Sequence, residues 1–219
     1  MKVVDASYKI LTSFLVDPTL MIEKIGRVCY HSEDKIKPGS SDIFIQKLIE
    51  RGHESVLEHS LVTVQFTVDR GISHELVRHR LASFTQESTR YCDYTNEDKY
   101  PDGVIFVRPS YLKKDSWMEC IWQAGCADCE RDYQLMINNG AKPEEARALL
   151  NNSVATTIVV SANFREWRHI LDLRCAKGAH PQIRAVMLPL LKELHEEVPV
   201  VFDDIYEKYY GSEEKEDIL

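Results

Sequence analysis

Residues 78–90 read Arg-His-Arg-Leu-Ala-Ser-Phe-Thr-Gln-Glu-Ser-Thr-Arg, the most specific pattern in the chain. Ser73 is predicted to cap a helix that carries the Arg-His-Arg row. Consecutive helical residues point about 100° apart, so at least one of the three should face the protein interior. A buried guanidinium needs an anion or several acceptors, and phosphate oxygens match its planar fork. Ser88, the amide of Thr89 and Arg90 would complete an anion-binding cradle.

The same stretch has simpler interpretations. It could be a helix with a solvated basic face that is paired to Glu75, three residues before Arg78, and to Glu87. It could belong to a regulatory module that binds a nucleotide without chemistry. It could also belong to an RNA-binding protein that uses the segment 70–90, in which case binding should depend strongly on salt.

Composition weighs against the RNA-binding alternative. The chain has 219 residues, 44% hydrophobic and 28% charged, which suits one ordinary domain with a sizeable core. Its net charge of −8 argues against a general polyanion binder, because non-specific affinity for nucleic acid needs a spread of cationic charge. The cations concentrate in the segment 70–90, which indicates a local anion site.

The opening residues, the lack of a long apolar stretch and the cysteines predict a cytoplasmic protein with no membrane partner, and the acidic charge balance predicts no nucleic-acid partner. The opening residues lack an apolar signal segment, and no stretch approaches the length of a membrane span. Six cysteines at irregular spacing indicate reduced thiols. Cys126 and Cys129 have C-x-x-C spacing, but they lie inside a helical pattern without a second pair, so a metal or redox site is the weaker alternative.

Periodicity predicts an α+β fold, since helices outnumber strands and do not alternate regularly with them. Strands are expected at 61–69, 104–107 and 154–161. Capping residues, prolines and glycines predict helices from Pro18 to about Tyr30, from Ser40 or Ser41 to Gly52, from Ser116 to Gly140, from Pro143, from Asn163 to about Cys175, and from Pro181 with a kink at Pro189.

The loop 52–59, Gly-His-Glu-Ser-Val-Leu-Glu-His, invites a metal interpretation that its spacing excludes. Zinc-binding H-E-x-x-H places histidines four apart on one helical face. Here His53 and His59 are six apart, which puts them about 120° out of phase. A structural loop is the generic expectation.

Three arginines outside the first motif are also candidates for ligand binding. Arg165 shares a helical face with His169, whereas Arg174 falls in an otherwise apolar stripe. It could snorkel from the helix end or meet a buried carboxylate. Arg147 is expected in the first turns of its helix, where a cation is disfavoured unless it meets a ligand phosphate or pairs with Glu144. No glycine-rich phosphate loop is present, so a dinucleotide would need other residues.

Arg-His-Arg, seven residues, then Ser-x-Arg resembles the signature of the flavin-dependent thymidylate synthases. The resemblance extends from about residue 25 to residue 206, with matching blocks in order at 52–59, 78–91, 144–147 and 163–174. Many members have Asn-Glu where this chain has Thr85-Gln86, and Leu-Pro where it has Leu150-Asn151.

The resemblance implies a homotetramer of mixed helices and an antiparallel-rich sheet, with residues 1–219 forming a single domain. It implies reductive methylation of dUMP to dTMP, with 5,10-methylenetetrahydrofolate as the one-carbon donor and NADPH as the reductant through FAD. It implies that Arg174 is catalytic and that no metal takes part. The cofactor-binding residues that it implies are His53, Ser55, Arg78, His79, Arg80, Gln86, Asn163, Phe164, Arg165 and His169. The substrate-binding residues that it implies are Glu75, Arg78, Gln86, Glu87, Ser88, Thr89, Arg90, Arg147 and Arg174.

Overall fold

The alternating segment predicted as a strand is β3, Leu61–Asp69, and its inward residues Val62, Val64, Phe66 and Val68 are fully buried. The structure, a computed structural model, describes residues 1–211. Residues 212–219, the end of the predicted domain, lie outside the described residues. None of the helices within residues 1–211 combines the length and apolar character needed to cross a bilayer.

The α+β class is confirmed, and the fold contains an antiparallel sheet. The strands are β1 (Lys2–Val4), β2 (Ser7–Ile10), β3, β4 (Ala82–Gln86), β5 (Ile105–Val107) and β6 (Ala155–Asn163). The helices are α1 (Pro18–Val28), α2 (Ser40–Glu50), α3 (Arg70–Leu76), α4 (Trp117–Asn138), α5 (Pro143–Ala146), α6 (Phe164–Arg174), α7 (Pro181–Glu197) and α8 (Pro199–Tyr210). Three 3₁₀ turns span Glu33–Lys35, Glu54–His59 and Arg147–Leu149. Four strands form one sheet in the order β2-β3-β6-β4, and β1 pairs in parallel with β5.

The chain divides into two compact units. Unit 1 comprises residues 1–9, 65–80 and 84–160, and unit 2 comprises residues 10–64, 81–83 and the chain from Ser161 onward. In unit 2, α6 packs against the 54–59 turn, α7 and α8. Trp167 of α6 is fully buried and donates a hydrogen bond to the Val62 carbonyl at 2.9 Å. This packing holds α6 against the start of β3.

The core of unit 1 contains both cysteines of the C-x-x-C pair. Cys126 and Cys129 lie on α4 in a buried cluster with Phe106 and Tyr133. Burial raises the pKa of Cys126 to about 11 and also raises the pKa of Cys129. Both thiols are therefore protonated at neutral pH and pack as small apolar groups, which supports the helical interpretation.

The predicted position of the helix that carries Arg-His-Arg is wrong. Asp69, and not Ser73, caps α3 by accepting a hydrogen bond from the Ile72 amide at 3.0 Å. The helix therefore starts early and ends at Leu76, before Arg78. β4 follows at Ala82–Gln86. The sequence did not predict this strand, because its residues do not form an apolar face.

Two other boundaries also differ from the prediction. Gly39, in a left-handed conformation with φ of 75°, precedes α2, so neither Ser40 nor Ser41 is its cap. The Ser40 hydroxyl instead donates to the Glu23 carboxylate of α1 at 2.7 Å. The Ser41 hydroxyl accepts from the Thr19 hydroxyl of α1 at 3.0 Å. The helix from Pro181 ends at Glu197, and Pro199 starts the separate α8.

Candidate functional site

The Arg-His-Arg row lies in the turn between α3 and β4, where His79 is 5% exposed while Arg78 and Arg80 are exposed. One of the three does face inward, as expected, but it is the imidazole and not a guanidinium. The alternative of a basic helical face is wrong because α3 ends before the row. Glu75 lies in the last turn of α3, and its carbonyl accepts from the Arg78 amide at 3.3 Å. Two arginines are thereby presented outward from a short, anchored turn.

Gln86, the last residue of β4, is held by two hydroxyls of unit 1. Its amide nitrogen lies 2.9 Å from Ser73 Oγ and 3.2 Å from Thr156 Oγ1. Ser73 donates its own proton to the Arg70 carbonyl at 2.9 Å, so it must accept from Gln86. Both amide protons are thus used within the protein, and the side chain can offer a ligand only its carbonyl oxygen.

Glu87 is anchored through both its backbone and its side chain. Its amide donates to the Thr157 carbonyl at 2.9 Å, and its carboxylate accepts from the buried Tyr94 hydroxyl at 2.6 Å. Burial, followed by this hydrogen bond, raises the pKa of Tyr94, so the phenol remains a donor. The backbone amide of Glu87 is therefore already in use within the protein.

Ser88, Thr89 and Arg90 form the turn that was predicted as an anion cradle. The Ser88 carbonyl accepts from the amides of Tyr91 and Cys92 at 3.1 and 3.0 Å, and Thr89 is 6% exposed. Arg90 is 52% exposed. This tight turn leaves its final guanidinium at the surface.

Arg147 lies at the C-terminal end of α5 and not in the first turns of a longer helix, because α5 has only four residues. Because α5 is a single turn, it has little dipole to oppose a cation, so the penalty expected for the first turns of a longer helix does not apply. Arg147 is exposed, and Glu144 lies 3.5 Å from Arg90. The α5 segment thus places a carboxylate beside Arg90 and an exposed arginine one turn further on.

In unit 2, α6 and the turn 54–59 line a cavity of about 850 Å³. Asn163, Arg165 and His169, all predicted to bind a cofactor, belong to its lining. Asn163 Oδ1 accepts from the Glu166 amide at 2.8 Å and caps α6 as predicted. The cap uses the acceptor of Asn163, so its NH₂ group is what a ligand would meet.

Four charged residues of this cavity form two exposed ion pairs. Arg165 lies 2.5 Å from Glu58, and Lys208 pairs with Asp172. Arg165 and Glu58 are each about half exposed, and an exposed pair of this kind is worth only about 0–1 kcal/mol. A ligand phosphate could therefore displace Glu58 from Arg165 at little cost.

The remaining predicted residues of unit 2 differ in exposure. His53 and Ser55 are exposed at the start of the 54–59 turn. Phe164 is buried, its amide donates to the Ser60 carbonyl at 2.9 Å, and its ring packs edge-on against Phe202. Arg174 is the last residue of α6 and is partly buried. Phe164 thus has a packing role, whereas the other three side chains reach the surface of the unit.

Arg168 was missed by the sequence interpretation. It lies in the cavity lining, 8% exposed, and donates to both carboxylate oxygens of Asp204 at 2.7 Å and to Glu54 at 3.2 Å. Burial would lower the pKa of Arg168, but the hydrogen bonds and charges of these carboxylates outweigh it and raise the pKa. The sequence offered one indication of its importance: Arg168 lies on the predicted α6, between the cofactor candidates Arg165 and His169.

Comparison with known proteins gives a consistent result. The family model described as thymidylate synthase complementing protein matches residues 11–200. A flavin-dependent thymidylate synthase from Geobacter sulfurreducens is 33% identical over 195 residues, covering 86% of this chain and 82% of that protein. One from Pyrococcus horikoshii is 38% identical over 164 residues, covering 74% and 65%. The crystal structure of the UMP/dUMP methylase PolB from Streptomyces cacaoi, bound with 5-Br dUMP, has a TM-score of 0.75 at 22% identity and covers 93% and 96% of the two chains, a likeness of fold.

Proposed function

This chain belongs to the flavin-dependent thymidylate synthase family, and on that premise we propose that it converts dUMP to dTMP by reductive methylation. Methylenetetrahydrofolate is the one-carbon donor in this proposal, and NADPH is the reductant through FAD. Residues 1–219 act as one catalytic domain, within a cytoplasmic homotetramer. The cavity lined by Asn163, Arg165 and His169 carries the proposal, because three residues selected from sequence lie around one space large enough for a ligand.

The residues of unit 2 suit FAD, an aromatic ring system joined to an anionic diphosphate. Arg165 offers a guanidinium to phosphate, while Asn163 and His169 offer hydrogen bonds to ring or ribose groups. His53 and Ser55 are exposed on the neighbouring turn and would add polar contacts. Bound FAD would supply the two-electron redox chemistry that amino-acid side chains cannot perform. Arg78, His79 and Arg80 are assigned to the same cofactor.

The dUMP site draws on unit 1. Arg90 and Arg147 carry exposed guanidinium groups that suit the phosphate. Ser88, the amide of Thr89 and the exposed Arg78 are assigned to the same nucleotide. Glu75 and Glu87 fix the backbone on either side of the turn. The Arg90–Glu144 contact of 3.5 Å is long enough for a phosphate to replace it.

Gln86 is compatible with the role of the glutamate that many family members have there. Ser73 and Thr156 occupy its amide protons, so the side chain presents an acceptor to the ligand, as a carboxylate would. This oxygen can accept a hydrogen bond from the imide N–H of a uracil ring. The substitution therefore preserves the hydrogen-bond polarity of the site.

Arg174 is assigned to the uracil ring, where its charge would stabilise negative charge that develops during reaction. A preorganised donor of this kind is worth about 3–4 kcal/mol. The other side chains bind and orient the reactants, because positioning is the main task left to the protein when a cofactor carries the redox step.

The test is dTMP formation by purified protein from dUMP, methylenetetrahydrofolate and NADPH, with and without added FAD. Flavin-dependent product is expected. Bound flavin without product would contradict the reaction while leaving the cofactor assignment in place. Neither product nor bound flavin would contradict both. Size-exclusion chromatography with light scattering tests the tetramer, which a monomer that retains FAD would rule out.

A further inference from the structure

Arg168 joins three elements of unit 2 through a single guanidinium. It leaves α6, donates to Asp204 and the Val201 carbonyl on α8, and donates to Glu54 on the 54–59 turn. The two bonds to Asp204 are bidentate, the geometry that fixes a guanidinium most firmly. The Arg168 side chain is 8% exposed, whereas Glu54 and Asp204 are 25% and 53% exposed, so the guanidinium is the buried part of a link that restricts how α6, α8 and the turn can shift.

The residues on either side of this link are those assigned to the cofactor. Glu54 stands between His53 and Ser55, both exposed. Arg168 stands between Arg165 and His169, which line the cavity from the same helix. The ion pair thus connects the two backbone segments that carry the cofactor contacts of unit 2, and its own side chains belong to the lining of the same cavity.

The charge balance of the cavity also depends on Arg168. Glu58 is paired with Arg165 and Asp172 with Lys208, whereas Glu54 and Asp204 share Arg168. Without Arg168, two carboxylates would face the cavity without a cation. They would repel the diphosphate of a dinucleotide.

We propose that Arg168 is a positioning residue of the cofactor site, which fixes the 53–55 segment against α6 and neutralises Glu54 and Asp204 beside the bound dinucleotide. The inference rests on the proposed function, since it concerns FAD. It assigns Arg168 no contact with the reacting atoms. It predicts that Lys is a poor replacement, because one ammonium cannot make the bidentate bond to Asp204 and reach Glu54 at the same time.

The experiment measures the FAD dissociation constant by quenching of flavin fluorescence, at a temperature well below the melting temperature of every variant. The variants are Arg168→Met, Arg168→Lys and the double variant Arg168→Met with Asp204→Asn, which removes the unpaired aspartate. The control is Arg108→Met in unit 1, because Arg108 also bridges two carboxylates, Asp5 and the buried Glu119, and does not line the cavity.

All three Arg168 variants should weaken FAD binding about tenfold or more. The double variant should recover much of the melting temperature lost in Arg168→Met but only part of the affinity, because Glu54 remains without a cation and the 53–55 segment remains untethered. Arg108→Met should lower the melting temperature and leave FAD affinity unchanged. Arg168→Lys or the double variant with wild-type affinity would overturn the proposal, and these two keep it testable if Arg168→Met does not fold. Wild-type protein that binds no FAD would overturn the proposed function and this inference together.

Discussion

The turn 78–90 and helix α6 both carry arginines, but they use them in opposite ways. Arg90 is 52% exposed, and the nearest carboxylate that it meets, on Glu144, is 3.5 Å away. Arg168 is 8% exposed and makes 2.7 Å bonds to both oxygens of Asp204. A buried arginine whose donors are used inside the protein stabilises the framework, whereas an exposed one, held by a long ion pair and by the ring of Tyr91, can give up its carboxylate partner to a ligand. Exposure therefore separates the two kinds better than partner distance does, since Arg165, which is assigned to the cofactor, is about half exposed although it lies 2.5 Å from Glu58.

Substitution of Arg174 should have the largest effect on turnover, because this residue of α6 is assigned to the reaction itself. Arg174→Ala should lower turnover by about 10²–10³-fold, since it removes a donor to charge that develops in the transition state. FAD affinity should be unchanged. Single-turnover dTMP formation and flavin titration measure the two quantities. Near-normal turnover would place Arg174 with the structural arginines. Arg184→Ala on α7 is the control, because Arg184 donates to the Cys175 carbonyl within the fold.

Arg90 should show the behaviour of a binding arginine. Arg90→Ala should weaken dUMP binding by about 10- to 100-fold, the loss expected for a charge-assisted hydrogen bond. Deoxyuridine, which lacks the phosphate, should bind wild type and variant equally. Calorimetric titration with both ligands measures the difference. Arg131→Ala is the control, since Arg131 is 60% exposed and is paired with Asp128 and Asp132 on its own helix. An equal loss for both ligands would show that Arg90 does not meet the phosphate.

The sequence predicted α6 and its cap well but not the role of each arginine on it. Asn163, the cap and the helix length follow from local rules, since each depends on residues within a few positions. Arg168 depends on Glu54 and Asp204, which are 114 and 36 residues away in the chain. No spacing rule relates such residues, so its buried network could not be predicted.

Near residue 78 the sequence failed for a different reason. Asp69 and Ser73 are both good capping residues, and the choice of Ser73 moved the predicted helix over Arg78. In the fold Ser73 is inside α3, and its hydroxyl meets Gln86. β4 escaped detection because its residues alternate between partly buried and exposed, without an apolar face.

Gln86 tests whether a side chain whose amide protons are bonded within the protein can still accept a hydrogen bond from a ligand. Gln86→Leu should lower kcat/KM for dUMP about tenfold, because it removes the acceptor. Gln86→Glu keeps an acceptor toward the ligand, and the Thr156 hydroxyl can turn to donate to the carboxylate, so its effect should stay within about threefold. Steady-state kinetics at varied dUMP measures both. Equal losses in the two variants would show that the amide protons, and not the oxygen, are what matters.

The framework role of Arg168 should also appear, with the smallest effect, in the pH dependence of stability. Burial alone would raise the pKa of Asp204, but the hydrogen bonds and charge of Arg168 outweigh it and hold the pKa below its usual range. An aspartate with a lowered folded pKa contributes stability above its unfolded pKa, and this is lost as pH falls through the folded value. Urea unfolding should therefore show wild type losing stability more steeply than Asp204→Asn below about pH 4. Asp128→Asn, in an exposed ion pair on α4, should follow wild type, because such pairs contribute little. Parallel curves for wild type and Asp204→Asn would mean that the ion pair does not hold the fold together and would remove the contrast with Arg90.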